Sequence, residues 1–189
     1  MSESRPLFIP IVLGTVRKGR RSEPAAQVIF ERVRARPGVE TELIDVAALH
    51  LATDDAGEAI KNPSFAASMS RADAVILVTP EYNRAYPGML KHLLDSCLKE
   101  YIHKAVGIVG VSGGPWGGTR VIESLLSPLR ELGLVTIFWD VQFTHSYKTF
   151  AEGAALDPAY EPRIDKFLAE LEWMAKTLRY GRENIRLAK

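Results

Sequence analysis

The sequence has a single cysteine, Cys97, a formal net charge of only +1 and no long apolar run. One cysteine excludes a disulfide within the chain and suits a reducing compartment, so we expect a cytoplasmic location. The balanced charge provides no overall field for nucleic acid or an anionic membrane, and we predict neither as a partner. The first apolar run, Leu7–Leu13, is too short for a signal peptide or a membrane span.

Metal-ligand spacing is also lacking. The histidines are His50, His92, His103 and His145, and their positions match no ligand pattern, so we predict no metal site. Cys97 lies on the apolar stripe of a predicted helix. We therefore expect it to belong to the core and not to act as a nucleophile.

Strand-like and helix-like segments alternate along the chain. The predicted strands are Leu7–Leu13, Val39–Asp45, Ala74–Val78, Ala105–Val111 and Leu134–Phe138. The predicted helices run from Ser22 to Pro37-Gly38, over Ser64–Ser70, Tyr86–Leu98 and Val121–Leu132, and from Glu161 to Tyr180. Pro10, which cannot donate to a strand ladder, either weakens the strand assignment at that point or marks a bulge. We expect irregular structure over 140–158 and over 46–63, where the disfavouring residues are Asp54, Asp55, Gly57 and Asn62-Pro63.

This alternation predicts a parallel sheet with helices on both faces, because right-handed crossovers allow little else. The expected fold is α/β, a flavodoxin-like three-layer sandwich with five parallel strands in the order 2-1-3-4-5. A six-stranded dinucleotide fold needs a further strand unit, for which the chain has no room. Its 189 residues, 47% of them hydrophobic, are enough for one packed domain, so we assign 1–189 to a single domain.

Three loops follow predicted strands and precede predicted helices. They are Gly14–Ser22, Thr79–Asn83 and Ser112–Gly118. Because the carboxyl ends of parallel strands meet at one edge of the sheet, we expect the loops to form one composite pocket there.

The first loop has the donors that a phosphate group needs. Gly14 permits a tight turn, Thr15 and Ser22 carry hydroxyls, and the N-terminus of the following helix supplies N–H groups and partial positive charge. The cations of the loop are Arg17, Lys18, Arg20 and Arg21. Ser22 is also the expected N-cap of the helix. A solvated basic surface loop is the alternative, and this loop alone supports the two interpretations about equally.

A nucleoside triphosphate site is disfavoured at the same loop. Gly14 and Gly19 have the spacing of a Walker A motif, but that motif continues with Lys and then Ser or Thr. The chain has Arg20 and Arg21 instead. Arginine does not simply replace the compact charge of lysine.

The other two loops suit a flat ring system with one polar end. Pro80–Asn83 combines a rigid turn, the aromatic face of Tyr82 and polar side chains at the end of a strand. Ser112–Gly114 exposes backbone N–H groups, which suit the pyrimidine edge of an isoalloxazine ring. Together with the phosphate loop, these features indicate a flavin.

With these motifs the sequence resembles the NAD(P)H-dependent FMN reductase family, which includes flavodoxin-like quinone, azo-dye and chromate reductases. The resemblance covers about Leu7 to Leu132. Its motifs are Gly14-Thr15-x-Arg17 with Ser22, Thr79-Pro80-Glu81-Tyr82-Asn83 with Tyr86-Pro87-Gly88, and Ser112-Gly113-Gly114-x-x-Gly117-Gly118. It implies an FMN-dependent enzyme that passes hydride from NAD(P)H via flavin N5 to a quinone, azo compound, metal oxyanion or free flavin. No catalytic side chain is expected, because the flavin carries the chemistry.

The resemblance also implies which residues bind FMN. It assigns Thr15, Arg17 and Ser22 to the phosphate, Pro80, Glu81, Tyr82 and Asn83 to the isoalloxazine, and Ser112, Gly113 and Gly114 to its pyrimidine side. We include Arg20 in the phosphate site, although the Arg20-Arg21 doublet leaves open which of the two reaches the phosphate. Arg84 stands where many relatives have a small residue or a histidine. We hypothesise that it contacts the anionic NAD(P)H; the alternative is a solvent-facing loop arginine.

A flavodoxin-like electron carrier with protein partners is the competing function. Such carriers tend to be strongly acidic, whereas this chain is near neutral. The family resemblance implies a homodimer or homotetramer. Trp173, which projects away from the apolar stripe of the last helix, is the candidate interface anchor.

Overall fold

A parallel sheet forms the middle layer of the protein, as seen in a computed structural model that describes residues 5–52 and 60–187. The strands are β1 (Leu7–Phe8), β2 (Ile11–Leu13), β3 (Val39–Glu40), β4 (Leu43–Asp45), β5 (Ala74–Pro80), β6 (Lys104–Val111), β7 (Leu134–Thr136) and β8 (Val141–Phe143). The helices are α1 (Ser22–Arg34), α2 (Pro63–Arg71), α3 (Gly88–Asp95), α4 (Thr119–Glu131), α5 (Ser146–Thr149) and α6 (Tyr160–Asn184), with a 3-10 turn over Val46–Ala48. All strand pairs are parallel.

The strand order confirms the predicted topology. The sheet runs β4-β2-β5-β6-β7, while β1 pairs with β3 and β8 pairs with β6. Because β1 and β2 belong to the first predicted strand and β3 and β4 to the second, this order is the predicted 2-1-3-4-5. The fold class is therefore confirmed, and the difference lies in how many pieces the strands form.

Pro10 interrupts the first predicted strand, as expected of a residue without an N–H group. Hydrogen bonds continue on either side of it, from Ile9 N to the carbonyl of Glu40 and from Ile11 N to that of Glu42, both at 2.9 Å. The Pro10 carbonyl accepts from Ile76 N at 3.0 Å. The break therefore leaves the alignment of the strands intact.

The last predicted strand was wrong at its end, and so was the irregular segment after it. β7 stops at Thr136, and Phe138 is 77% exposed. The chain returns to the sheet as β8, which pairs with the far half of β6, and then forms the short helix α5. The fifth position of the sheet is thus filled by two short strands in succession.

Two helix starts also differ from the predictions. Ser22 is the first residue of α1, not its N-cap, and no side-chain bond caps that helix. Asn62 and Pro63 were expected to disfavour regular structure, yet Asn62 caps α2 by accepting from Phe65 N at 3.0 Å. Pro63 is tolerated in the first turn, where its missing N–H group has no helical partner. Asp54, Asp55 and Gly57 lie outside the described residues.

The core consists of two apolar layers, one on each face of the sheet. Residues of α1 and α6 pack on one face, and residues of α2, α3 and α4 pack on the other. Cys97 is buried in the second layer, as predicted. None of the described helices is long and apolar enough to cross a membrane. Within residues 5–52 and 60–187, no cluster of His, Cys, Asp and Glu side chains could hold a metal ion.

Candidate functional site

The loops at the carboxyl edge of the sheet enclose a cleft of about 230 Å³. The cleft includes most of the predicted site residues: Arg17, Arg20, Ser22, Pro80, Glu81, Tyr82, Ser112 and Gly113. It also includes Lys18, Gly19, Arg21, Val111, Ser146 and Tyr147. Of the predicted residues, Thr15, Asn83, Arg84 and Gly114 are not among those that line it. The three loops therefore form one site, as expected from parallel strands.

The first loop is attached to the end of β5 and to the second loop. Gly14 N donates to the carbonyl of Val78 at 2.9 Å. Thr15 is buried, and its hydroxyl lies 3.2 Å from the hydroxyl of Tyr82. The guanidinium of Arg17 lies over the Tyr82 ring, 5.9 Å from its centroid. Thr15 thus connects the first loop to the second loop.

The two arginines of the doublet have different partners. Arg20 forms a two-pronged ion pair with Asp45 at the end of β4, in which Nη1 lies 2.9 Å from Oδ1, and it also donates to the carbonyl of Thr15. Burial is the largest single influence and lowers the pKa of Arg20, but the hydrogen bonds and charges of Asp45 and Glu23 together outweigh it and raise that pKa. Arg21 instead donates from Nη1 to the carbonyl of Phe150 at 3.0 Å, and its guanidinium faces the Tyr147 ring at 5.5 Å.

Buried polar atoms without a partner are concentrated in the cleft. Five buried side-chain atoms lack a hydrogen bond in the described part of the chain, and three of them are in residues that line the cleft: Arg21 Nε, Ser22 Oγ and Glu81 Oε2. Leaving such a group unpaired costs roughly 1–3 kcal/mol, so folded proteins seldom do so without a reason. The donors Arg21 Nε and Ser22 Oγ suit an anionic group of a ligand, and the acceptor Glu81 Oε2 suits a group that carries an N–H or O–H donor.

The second loop ends in a tight turn at the rim of the cleft. Tyr82 and Ala85 exchange backbone hydrogen bonds of 2.9 and 3.0 Å. The two residues between them, Asn83 and Arg84, have φ angles of 52° and 67°. These values define a type I′ turn, which asparagine accepts readily and arginine does not. The side chains of Asn83 and Arg84 are exposed.

The third loop presents backbone donors. Ser112 is fixed by two hydrogen bonds, from its N–H to the carbonyl of Phe143 at 3.1 Å and from Ser146 N to its carbonyl at 2.9 Å. The N–H groups of Gly113 and Gly114 donate to no acceptor among the described residues. A Cβ atom on Gly113 would lie 3.0 Å from the Tyr147 ring, so a larger residue at this position would push that ring by a few tenths of an ångström.

The fourth loop, around α5, was missed by the sequence analysis. Ser146 and Tyr147 line the cleft beside Arg21 and follow the end of β8 after two intervening residues. The short strand Val141–Phe143 carries the signal that could have found them, since it alternates buried, half-buried and buried residues. Three residues are too few for periodicity to separate a strand from a loop.

Comparison with known proteins identifies the family. Residues 9–147 match the model of the NADPH-dependent FMN reductase family, a span that contains the first three loops and the first two residues of α5. A quinone reductase of Pseudomonas putida is 32% identical over 161 residues, which cover 80% of this chain and 81% of that protein. The chain belongs to the NADPH-dependent FMN reductase family. The predicted enzyme class is thereby confirmed, with FMN as cofactor and a nicotinamide nucleotide as reductant.

Solved structures confirm the fold. FerB of Paracoccus denitrificans, a flavoenzyme NAD(P)H:acceptor oxidoreductase, superposes with a TM-score of 0.72 at 23% identity and covers 90% of this chain and 98% of its own. A flavodoxin of Pseudomonas aeruginosa gives a TM-score of 0.62 at 18% identity, over 88% of this chain and 99% of its own. Identities this low establish a flavodoxin-like architecture and nothing finer.

Proposed function

We propose that this protein binds FMN in the cleft at the carboxyl edge and reduces quinone-type acceptors with NAD(P)H. The observation that carries the proposal is the set of unpaired buried polar atoms, Arg21 Nε, Ser22 Oγ and Glu81 Oε2, around that cleft. Bound FMN supplies the hydride-accepting and hydride-donating centre of the reaction. The quinone is proposed because the reductase of Pseudomonas putida with 32% identity is a quinone reductase.

The first loop receives the phosphate in this proposal. Ser22 Oγ donates to a phosphate oxygen, and Arg17 and Thr15 add charge and order to the loop. The N-terminus of α1 contributes N–H groups and partial positive charge. These are the groups that a phosphate monoester requires.

The second and third loops receive the isoalloxazine ring. Pro80 and Tyr82 give it an apolar edge, with Asn83 at the rim. The free N–H groups of Gly113 and Gly114 donate to its pyrimidine side, where they stabilise negative charge on the reduced ring. Ser112 holds this loop in position through its backbone bonds to β8 and α5.

Glu81 contributes a carboxylate acceptor to the cleft. Its Oε1 atom lies 3.6 Å from Nη1 of Arg120, while Oε2 is buried without a partner among the described residues. We assign Oε2 to a ribityl hydroxyl or a ring N–H group, since either can donate to a carboxylate. Arg120 compensates the charge of Glu81 from the start of α4.

Arg84 is proposed to contact the phosphates of NAD(P)H. Its side chain is exposed at the rim, and the turn that carries it is held in a conformation arginine disfavours. Residues kept in such conformations are concentrated at functional sites. The positive charge of Arg84 adds attraction for an anionic second substrate without touching the first loop.

We further propose a cytoplasmic location and a homodimer or homotetramer. The lone cysteine supports the first. Two exposed tryptophans support the second: Trp116 in the glycine-rich loop is 64% exposed, and Trp173 on α6 is 63% exposed. Exposed tryptophans of this kind are frequent anchors of interfaces. Light scattering after size-exclusion chromatography tests the assembly, and a monomer would remove it.

The test of function is the visible spectrum of the purified protein. We expect it to retain FMN through desalting, to bleach with NADPH or NADH under anaerobic conditions, and to recover its colour when a soluble quinone is added. Retained FMN that neither nucleotide bleaches would favour an electron carrier with protein partners. Failure to bind FMN at any concentration would overturn the proposal.

A further inference from the structure

We infer that Arg21 binds the phosphate of the cofactor beside Ser22. Arg20, in contrast, is a positioning residue that holds the first loop in place through its ion pair with Asp45. This inference rests on the proposed function, because it divides the work of the arginine doublet within the FMN site. It assigns the ligand class as a phosphate monoester, bound by an arginine that the sequence could not distinguish from its neighbour.

Arg20 is already occupied. Both ends of its guanidinium fork reach the two carboxylate oxygens of Asp45, its Nε lies 3.3 Å from Glu23, and Nη1 also donates to the carbonyl of Thr15. These contacts connect the loop to the end of β4, one strand beyond β2. An arginine with this many acceptors has its charge compensated, and moving it to a phosphate requires breaking a two-pronged ion pair.

The side of the Arg21 guanidinium that contains Nε has no hydrogen-bond partner among the described residues. Only Nη1 is bonded, to the carbonyl of Phe150, while Nε is buried and has no acceptor within the part of the chain described. Arg21 forms no ion pair with any described carboxylate. The edge of a guanidinium that contains Nε is suited to two parallel bonds to one phosphate. The positive charge of Arg21 is therefore available to the ligand, unlike that of Arg20.

Ser22 provides the independent second donor. It is 1% exposed, lines the cleft and has no hydrogen-bond partner for its hydroxyl in the described residues. Its neighbour Arg21 lies at the N-cap position of α1, so both groups stand where the N-terminus of a 13-residue helix points. One anion at this point satisfies Ser22 Oγ and Arg21 Nε together.

The α5 segment holds Arg21 in position. The Tyr147 ring lies 5.5 Å from the guanidinium, and the Phe150 carbonyl orients Nη1. An arginine fixed by a ring and a carbonyl loses less side-chain entropy when it binds a ligand. The fourth loop thus has a function that was not predicted from the sequence: it fixes the side chain of the arginine that binds the phosphate.

The test compares FMN with riboflavin, which lacks the phosphate, by flavin fluorescence titration of the purified protein. We expect Arg21→Gln to weaken FMN binding roughly tenfold to a hundredfold and to leave riboflavin binding unchanged, as loss of a charged hydrogen bond implies. Arg34→Gln, at the far end of the same helix, is the matched control and leaves both affinities unchanged.

Asp45→Asn separates the two roles of Arg20. If Arg20 is a positioning residue, Asp45→Asn and Arg20→Gln both lower the melting temperature of the protein, and neither variant binds FMN more tightly than the wild type. If FMN binding rises in Asp45→Asn and falls in Arg20→Gln while Arg21→Gln has no effect, Arg20 is the phosphate ligand and the inference is overturned. A wild-type protein that binds neither flavin overturns the proposed function itself. Wild-type FMN binding with an inert Arg21 overturns only the inference.

Discussion

The sheet has an amino edge and a carboxyl edge, where the strands begin and end, and the buried polar groups at these two edges differ in how many hydrogen-bond partners they have. At the amino edge, Asp73 is fully buried and accepts from Arg5 at 2.8 Å, Arg179 at 3.3 Å, Arg182 at 3.2 Å and the backbone N–H of Phe8 at 3.1 Å. At the carboxyl edge, the cleft contains buried donors and an acceptor that have no partner among the described residues. The saturated amino edge stabilises the fold, and we propose that the unsaturated carboxyl edge binds a ligand.

The amino edge joins distant parts of the chain through that one carboxylate. Asp73 precedes β5, Arg5 precedes β1, and Arg179 and Arg182 lie near the end of α6. Nearby, Lys104 is buried and donates to the carbonyls of Met69 and Ser70 at the end of α2. Burial, and then the charge of Arg182, lower the pKa of Lys104 to about 8. Arg5 and the last turns of α6 are thus held together at the amino ends of the strands.

The largest expected effect is the loss of unfolding free energy when Asp73 at the saturated edge is replaced. Asp73→Ala leaves Arg179 and Arg182 without their buried countercharge, and we expect about 3–5 kcal/mol of lost unfolding free energy in urea titrations. Lys91→Ala, which breaks the exposed pair with Asp95 on α3, should cost less than about 1 kcal/mol and serves as the control. Equal losses in the two variants would contradict the structural role of the Asp73 cluster.

At the unsaturated edge, removing a buried polar group should instead increase the stability of the flavin-free protein. In Ser22→Ala the buried hydroxyl is gone, so the flavin-free protein should gain up to about 1 kcal/mol while FMN affinity falls roughly tenfold. Thermal unfolding without flavin and fluorescence titration with FMN measure the two effects. A loss of stability in the flavin-free protein would show that Ser22 Oγ serves the fold and not the ligand.

Asp140 offers a third case, a carboxylate that forms no ion pair within residues 5–52 and 60–187. Burial, Glu123 and Glu170 raise its pKa to about 6 from 3.8. Because the folded state holds this proton more tightly, Asp140 reduces stability as pH rises from about 4 to about 6. Asp140→Asn should therefore stabilise the protein by about 1–2 kcal/mol at pH 7 and by nothing below pH 4. Urea titrations of both proteins across this range measure the difference; a difference that does not change with pH would contradict the assignment.

Sequence patterns predicted the parts of this comparison that depend on periodicity. The buried strands β5 and β6, the strand order and the meeting of three loops follow from apolar runs between helices. The pairing of Arg20 with Asp45 could not be predicted, because it joins residues 25 positions apart whose register is set by strand pairing. The site residues that were found share local motifs, whereas Ser146 and Tyr147 follow a strand of only three residues.

The saturated edge was equally hidden from the sequence. Nothing in the residues around Asp73 marks it as the acceptor for arginines 68, 106 and 109 positions away. Long-range polar pairs leave no periodic signal, and a single aspartate before a strand reads as an ordinary turn residue. Local motifs therefore indicated most of the residues that line the cleft, while the long-range ion pairs at the two edges required the structure.

The smallest effect should come from the strained turn at the rim. Arg84→Gly removes the arginine from its left-handed conformation, at φ 67°, and should stabilise the protein by about 0.5–1 kcal/mol. Arg84→Ala removes the same charge without relieving the backbone. If the charge serves NAD(P)H, both variants should raise the KM for the nucleotide severalfold at low salt and leave FMN affinity unchanged, while only the glycine variant gains stability. An unchanged KM in both would leave Arg84 as a strained surface residue with no part in nucleotide binding, and the unsaturated edge would end at the cleft itself.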